Sequence, residues 1–166
     1  MIEVYDDFFD EEIRSEIFER LYNATNWGIS GGNSSKPEIY WHYDDLEKQE
    51  YFKDYIYKLI CKKLNMNFKS VERIYANGQT AGQCGTPHKD DGDLTFLYYP
   101  LPQWNISWQG HLIFLDDRGE ANKVIEYKSN RGVLFDGKIG HYADAPSRFF
   151  NGLRISLAYK LWKKYG

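Results

Sequence analysis

Cysteine is scarce in this sequence. Cys61 and Cys84 are the only two in 166 residues, too few for a disulfide framework. Cys61 falls in a helical pattern and reads as a small buried apolar residue. Cys84 lies in a glycine-rich loop with no second cysteine near it. No apolar run approaches the length of a membrane span. The opening Met1-Ile2-Glu3-Val4-Tyr5-Asp6-Asp7 lacks the basic start and apolar run of a secretory signal. The expectation is a soluble chain in the cytoplasm, a reducing compartment, with no membrane partner. An excess of basic residues is also missing. There are 21 Lys and Arg against 24 Asp and Glu, a formal net charge of −3. Without a basic stripe, a nucleic-acid backbone is a poor partner.

Aromatic residues are what the sequence has in quantity. They make up 17% of it, with 14 Tyr and 5 Trp. Such content suits a β-rich core with aromatic cross-strand pairs. The length suits one domain, residues 1–166, burying roughly 70% of its unfolded surface. Asp10-Glu11-Glu12 reads as a helix start, and Ile13, Ile17 and Leu21 give an apolar stripe over 11–22. A second helix is expected over 44–64. Acidic residues crowd its start, Lys58, Lys62 and Lys63 its end, and Phe52, Ile56, Leu59, Ile60 and Leu64 its buried face. Between them, 23–43 reads as a glycine-rich loop carrying Trp27, Tyr40, Trp41, His42 and Tyr43. It could be a lid, but a surface connection is the preferred reading, and His42 shows no partner pattern.

From residue 69 the period becomes extended. Strands are expected at 70–76, 86–90, 94–100, 110–115, 122–128, 132–136, 146–150 and 153–162. Two helices followed by short strands predict a mainly β fold with N-terminal helices. The architecture expected is a double-stranded β-helix, or jelly roll, buttressed by the two helices. Residues 1–68 would be mostly helical support and 69–166 the core.

The chemistry centres on Thr86-Pro87-His88-Lys89-Asp90. In an extended strand, side chains two apart share a face, so His88 and Asp90 point the same way. A second imidazole would complete a two-histidine, one-carboxylate set of the kind that holds non-haem Fe(II) with positions left open. His-x-Asp alone is equally a surface turn containing a histidine. Here, however, Pro87 disfavours helix just before the pair, and a lone histidine, His141, follows among apolar strands. A last strand carries Arg154 and Ser156 on one face. Arg154 offers a planar fork of donors suited to a carboxylate.

In the order Arg73-Ile74-Tyr75-Ala76-Asn77-Gly78, His88-Lys89-Asp90, Leu97-Tyr98-Tyr99-Pro100, Trp108-Gln109-Gly110-His111, His141 and Arg154, the sequence resembles the Fe(II)/2-oxoglutarate-dependent oxygenases. The nearest branch is the prolyl 4-hydroxylase-like one, and the match covers about residues 70–162. The resemblance implies that His88, Asp90 and His141 ligate Fe(II) and act in catalysis. It implies that Arg154, with Ser156 and Tyr99, holds the distal carboxylate of 2-oxoglutarate, and that Tyr75 lines the iron pocket. Arg148 is the competitor for the Arg154 role. His111 reads as a packed or edge histidine. O2 is the implied oxidant, and ascorbate an accessory reductant. The implied reaction is hydroxylation of a C–H bond, with peptidyl proline as first substrate. Asp90 supports hydroxylation, because halogenases of related fold put a small residue there. Trp104 and Trp108 could wall a groove for proline, or cover the barrel rim. A free amino acid or other small molecule is the alternative substrate, and a non-catalytic jelly-roll binding module the alternative class.

Overall fold

The computed structural model describes residues 1–164. A seven-stranded antiparallel sheet forms one layer. Its strands are β1 (Ile2–Tyr5), β2 (Gly28–Gly31), β3 (Ile39–Tyr43), β4 (Phe68–Gln79), β5 (Leu94–Tyr99), β8 (Arg131–Asp136) and β10 (Arg154–Lys163). Their spatial order is β1-β8-β5-β10-β4-β3-β2. Facing it is a smaller sheet of β7 (Ala121–Ile125), β6 (Leu112–Leu115) and β9 (His141–Ala143), in that order. Phe114 of β6 meets Phe135 of β8 edge to face at 5.0 Å between the layers. This is the expected jelly roll.

Helices cover the other face of the large sheet. Helix α1 (Glu11–Tyr22) buries Ile17 and Leu21. Its Arg14 is pinned beneath the surface by Glu11 and by the Pro100 carbonyl at 2.8 Å. Strand β10 lies in the middle of the large sheet and is buried along nearly its whole length. Its odd residues face the helices, and Tyr159 donates to the Phe52 carbonyl at 2.9 Å. Its even residues, Arg154, Ser156, Ala158 and Lys160, face the small sheet. Two charged residues therefore occupy the interior of the roll, so the alternation that makes β10 a strand also delivers cations to its cavity.

Several expected elements differ. The second helix is not continuous. It begins as a 3-10 turn (Leu46–Lys48), continues as a π-helix (Tyr51–Ile56), and becomes α2 only over Tyr57–Leu64. Strand β3 pairs with β4 only from Ala76 to Gly78. Beyond that ladder Glu47 accepts the Ile74 N–H at 3.1 Å, satisfying a backbone donor that would otherwise be orphaned. Segments 86–90 and 146–150 are not strands; each carries one isolated bridge, His88 to His141 and Pro146 to Gln109. Pro87 and Pro146 each lack the N–H that a longer ladder needs. Conversely, 23–43 is no mere connection. Within it β2 and β3 form a hairpin that extends the large sheet. Residues 1–68 thus supply three strands besides the helices.

Asn130 ties the chain start to the sheet. It is buried and sits at φ +59°. Its Oδ1 accepts from Phe9 N (3.1 Å) and Tyr98 Oη (2.7 Å), and its Nδ2 donates to Phe9 O (2.7 Å). Asn130→Ala strands a buried N–H, a hydroxyl and a carbonyl, and should lower stability by about 3 kcal/mol. Urea unfolding checks this; a loss under about 1 kcal/mol would mean water replaces the amide.

Candidate metal and co-substrate site

The isolated bridge between His88 and His141 builds the site. The two residues exchange both backbone hydrogen bonds, at 3.0 and 2.9 Å. Directly opposed residues of an antiparallel pair project side chains to the same face. The imidazoles therefore sit side by side, with ring centroids 4.5 Å apart. Asp90 is held by its own N–H on the Gly137 carbonyl at 2.7 Å. One potential ligand atom from each of His88, Asp90 and His141 lies within 4.8 Å of the others. Among the described residues no other such group of His, Cys, Asp and Glu occurs. The face-sharing expected of His88 and Asp90 thus holds, but through a single bridge and not a strand.

Both histidines are oriented by backbone carbonyls. His88 Nδ1 lies 2.8 Å from the Thr86 carbonyl, and His141 Nδ1 lies 2.8 Å from the Ile139 carbonyl. A carbonyl only accepts, so each Nδ1 carries the proton. That leaves each Nε2 to face Asp90: His88 Nε2 at 3.6 Å from Oδ1, His141 Nε2 at 3.4 Å from Oδ2. Such an outer carbonyl fixes tautomer and ring angle in metal sites. Asp90 Oδ2 also accepts from Thr95 Oγ1 at 2.5 Å and contacts the Lys160 ammonium. Burial opposes the Asp90 charge, but the two imidazoles and Lys160 outweigh it and hold the carboxyl well below the usual range.

Deeper in the roll, Arg154 is 1% exposed. Its Nε donates to the Gly110 carbonyl at 2.7 Å, and its Nη1 to Gln79 Oε1 at 2.8 Å. The guanidinium lies over Tyr127 (4.6 Å) and near Tyr99 (5.4 Å), which stack on each other at 4.2 Å. Gly110 has φ +72°, and a Cβ there would come within 2.9 Å of Arg154 Cδ. The Tyr99 hydroxyl is buried and, among the described residues, has no hydrogen-bond partner. Burial pushes its pKa up, with Arg154 pulling against it. An orphaned hydroxyl beside a fixed guanidinium is what a carboxylate would complete. Arg148 instead lies over Phe149.

A cleft of about 520 Å³ opens above His88 and Asp90. Tyr75, Asn77, Gln79, His88, Asp90 and Ser156 line its depth; Ser30, Lys36, Glu38, Tyr40, His42 and Asp44 wall it from the hairpin side. His42 proves well connected: Nε2 meets Ser30 Oγ at 2.8 Å and Nδ1 meets Asp44 at 2.7 Å. Trp104 and Trp108 do not line the cleft. They pack with Phe150, and Trp104 also with Tyr127, behind the Arg154 pocket. His111 is packed, its Nδ1 accepting from Tyr127 N at 3.2 Å, and burial lowers its pKa. Four contributors escaped the sequence reading: Thr95, Lys160, Gln79 and the hairpin. Lys160 left one trace, a charge in an apolar strand in phase with Arg154.

Two facing sheets, with two imidazoles and a carboxylate at their mouth, make a jelly roll. Solved structures share this fold over almost the entire chain. A prolyl hydroxylase from Trichoplax adhaerens, in complex with a hypoxia inducible factor oxygen degradation domain peptide fragment, matches with a TM-score of 0.74 at 15% identity. The match covers 98% of this chain and 84% of that one. The viral collagen prolyl hydroxylase of Paramecium bursaria Chlorella virus-1, in its 2-oxoglutarate complex, gives 0.68 at 16%, covering 96% and 94%. HygX from Streptomyces hygroscopicus, with nickel and 2-oxoglutarate bound, gives 0.72 at 11%, covering 99% and 83%. No protein-family model matches the sequence, and no curated protein does. Among the described residues, no helix is long and apolar enough to cross a membrane.

Proposed function

We propose that the protein is an Fe(II)- and 2-oxoglutarate-dependent dioxygenase that hydroxylates a substrate C–H bond. The observation that carries this reading is the metal set with its two Nδ1 protons already spent on backbone carbonyls. Iron and 2-oxoglutarate with O2 supply the oxidising power: one oxygen atom leaves in succinate as CO2 is lost, and the other enters the C–H bond. In this reading His88, Asp90 and His141 hold the ion. Arg154 and the Tyr99 hydroxyl receive the distal carboxylate of 2-oxoglutarate, with Ser156 on the same face of β10. Tyr75 lines the cleft beside them. Asp90 keeps a carboxylate where a halogenase needs space. A set this complete weighs against a silent binding module.

The cleft favours a polar small molecule, such as a free amino acid, over peptidyl proline. Its walls carry Lys36, Arg73 and Lys89 as cations and Glu38, Asp44 and Asp91 as anions. The tryptophans that could have formed a proline groove are packed elsewhere. Peptidyl proline remains the second reading, supported by the peptide bound to the Trichoplax enzyme. Incubation with Fe(II), 2-oxoglutarate and either an amino-acid panel or proline-rich peptides distinguishes them. We expect succinate formation and a gain of one oxygen in a free amino acid. Oxygen gained only in a peptide would reverse the ranking. No succinate in any mixture, with or without substrate, would count against the enzyme reading.

A further inference from the structure

Lys160 has no part in the roles assigned so far, yet it is the buried charge closest to the metal set. It is 3% exposed and lies on the interior face of β10. Its ammonium contacts Asp90 Oδ2, lies 3.2 Å from Thr95 Oγ1, and sits 5.7 Å from the centre of the Tyr75 ring. It does not line the cleft, so it is not placed to meet substrate.

Asp90 Oδ2 already has two donors in Lys160 and the Thr95 hydroxyl. Oδ1 faces His88 and has neither. A divalent ion between the imidazoles would therefore share its only carboxylate with a fixed ammonium. Two consequences act in the same direction. The ammonium repels the ion across a few ångströms of sheltered interior, where charges are weakly screened. The ammonium also withdraws electron density from the carboxylate, weakening it as a donor. Without metal, the same ammonium balances a buried carboxylate that would be costly alone.

We propose that Lys160 is a positioning residue that acts as a resident counter-ion to Asp90, stabilising the metal-free protein and holding divalent-metal affinity down. The inference rests on the metal reading of His88, Asp90 and His141. It assigns to this chain a metal site that exchanges its ion more readily than its ligands alone would allow. Removing the charge does not free Asp90 to turn away, because Thr95 still holds Oδ2 and the Asp90 N–H stays on Gly137.

Mn(II) is a suitable probe, since it resists oxidation and its free form is counted by electron paramagnetic resonance. Lys160→Met keeps the length of the side chain and deletes the charge. We expect Lys160→Met to bind Mn(II) about tenfold more tightly than wild type, and its metal-free form to melt at a lower temperature. Lys160→Arg keeps the charge and should bind Mn(II) as wild type does. Lys160→Gln, which can still donate to Asp90, serves as the neutral variant if Lys160→Met does not fold. Equal or weaker Mn(II) binding by the neutral variant would overturn the counter-ion role while leaving the metal site intact. Failure of wild type itself to bind Mn(II), Fe(II) or Ni(II) would overturn both.

Discussion

Replacing His141 by alanine should remove nearly all Fe(II) affinity, by well over about 100-fold, since loss of an outer partner alone costs 10–100-fold. His141 is the cleanest of the three positions to test. Asp90→Ala would leave the Lys160 ammonium buried without its carboxylate, so lost metal and lost fold would be confounded. His88 is half exposed, and water can partly replace it. His141 Nε2 is sheltered and lies 3.4 Å from Asp90 Oδ2, while the ring's Nδ1–H donates to the Ile139 carbonyl. Anaerobic titration with Fe(II), followed by calorimetry, measures the loss. Wild-type affinity in His141→Ala would show that the third ligand lies elsewhere. The wild-type protein should also bind more tightly as pH rises through neutrality. Asp90 raises the His88 pKa above the ordinary imidazole value, chiefly through their hydrogen bond. Metal must displace that proton, so affinity falls as pH drops below the raised value.

Arg154→Ala should raise the 2-oxoglutarate concentration needed by upwards of about 30-fold while leaving Fe(II) in place. A sheltered, charge-assisted pair is worth about 2–5 kcal/mol when one partner is removed. The effect should sit at the large end because the guanidinium is so firmly placed, by Gly110, Gln79 and the Tyr127 face. Gly110→Ala provides a second approach that keeps the charge. Its Cβ would press on Arg154 Cδ at 2.9 Å from a backbone at φ +72°, so it should weaken the same co-substrate without touching iron. Equilibrium binding of 2-oxoglutarate to the Fe(II)- or Mn(II)-loaded protein checks both. An unchanged requirement in Arg154→Ala, with loss in Arg148→Ala, would move the carboxylate site to the 145–151 turn.

The fold was legible wherever one periodicity ran long enough. Helix 11–22 and strands 94–100, 132–136 and 153–162 appear within a residue or two of their expected bounds. The candidate site residues could be placed because His141 and Arg154 sit at strand positions, and His88 and Asp90 follow Pro87 two apart. What escaped was set by tertiary contact. The β2–β3 hairpin was obscured by its glycines and Pro37, although Ile39-Tyr40-Trp41-His42-Tyr43 has strand composition. The broken second helix places Glu47 against an N–H of β4, a partner 27 residues away. The Asp90–Thr95–Lys160 cluster joins three separate stretches, and only the folded register aligns Lys160 with Thr95.

The hairpin divides the molecule's labour. The groups proposed for metal and co-substrate stand on or beside the buried central strands and the small sheet, where any volume change is felt throughout the core. The outer wall of the cleft stands on β2 and β3, which join the large sheet through the register pairs Trp41–Gly78, His42–Asn77 and Tyr43–Ala76. The polar chain from Ser30 through His42 to Asp44 is self-contained within that appendage. Selectivity is therefore free to drift. In the proposed reading, a lineage that exchanged residues 28–44 for another wall would change what the cleft admits while leaving His88, Asp90, His141 and Arg154 in place.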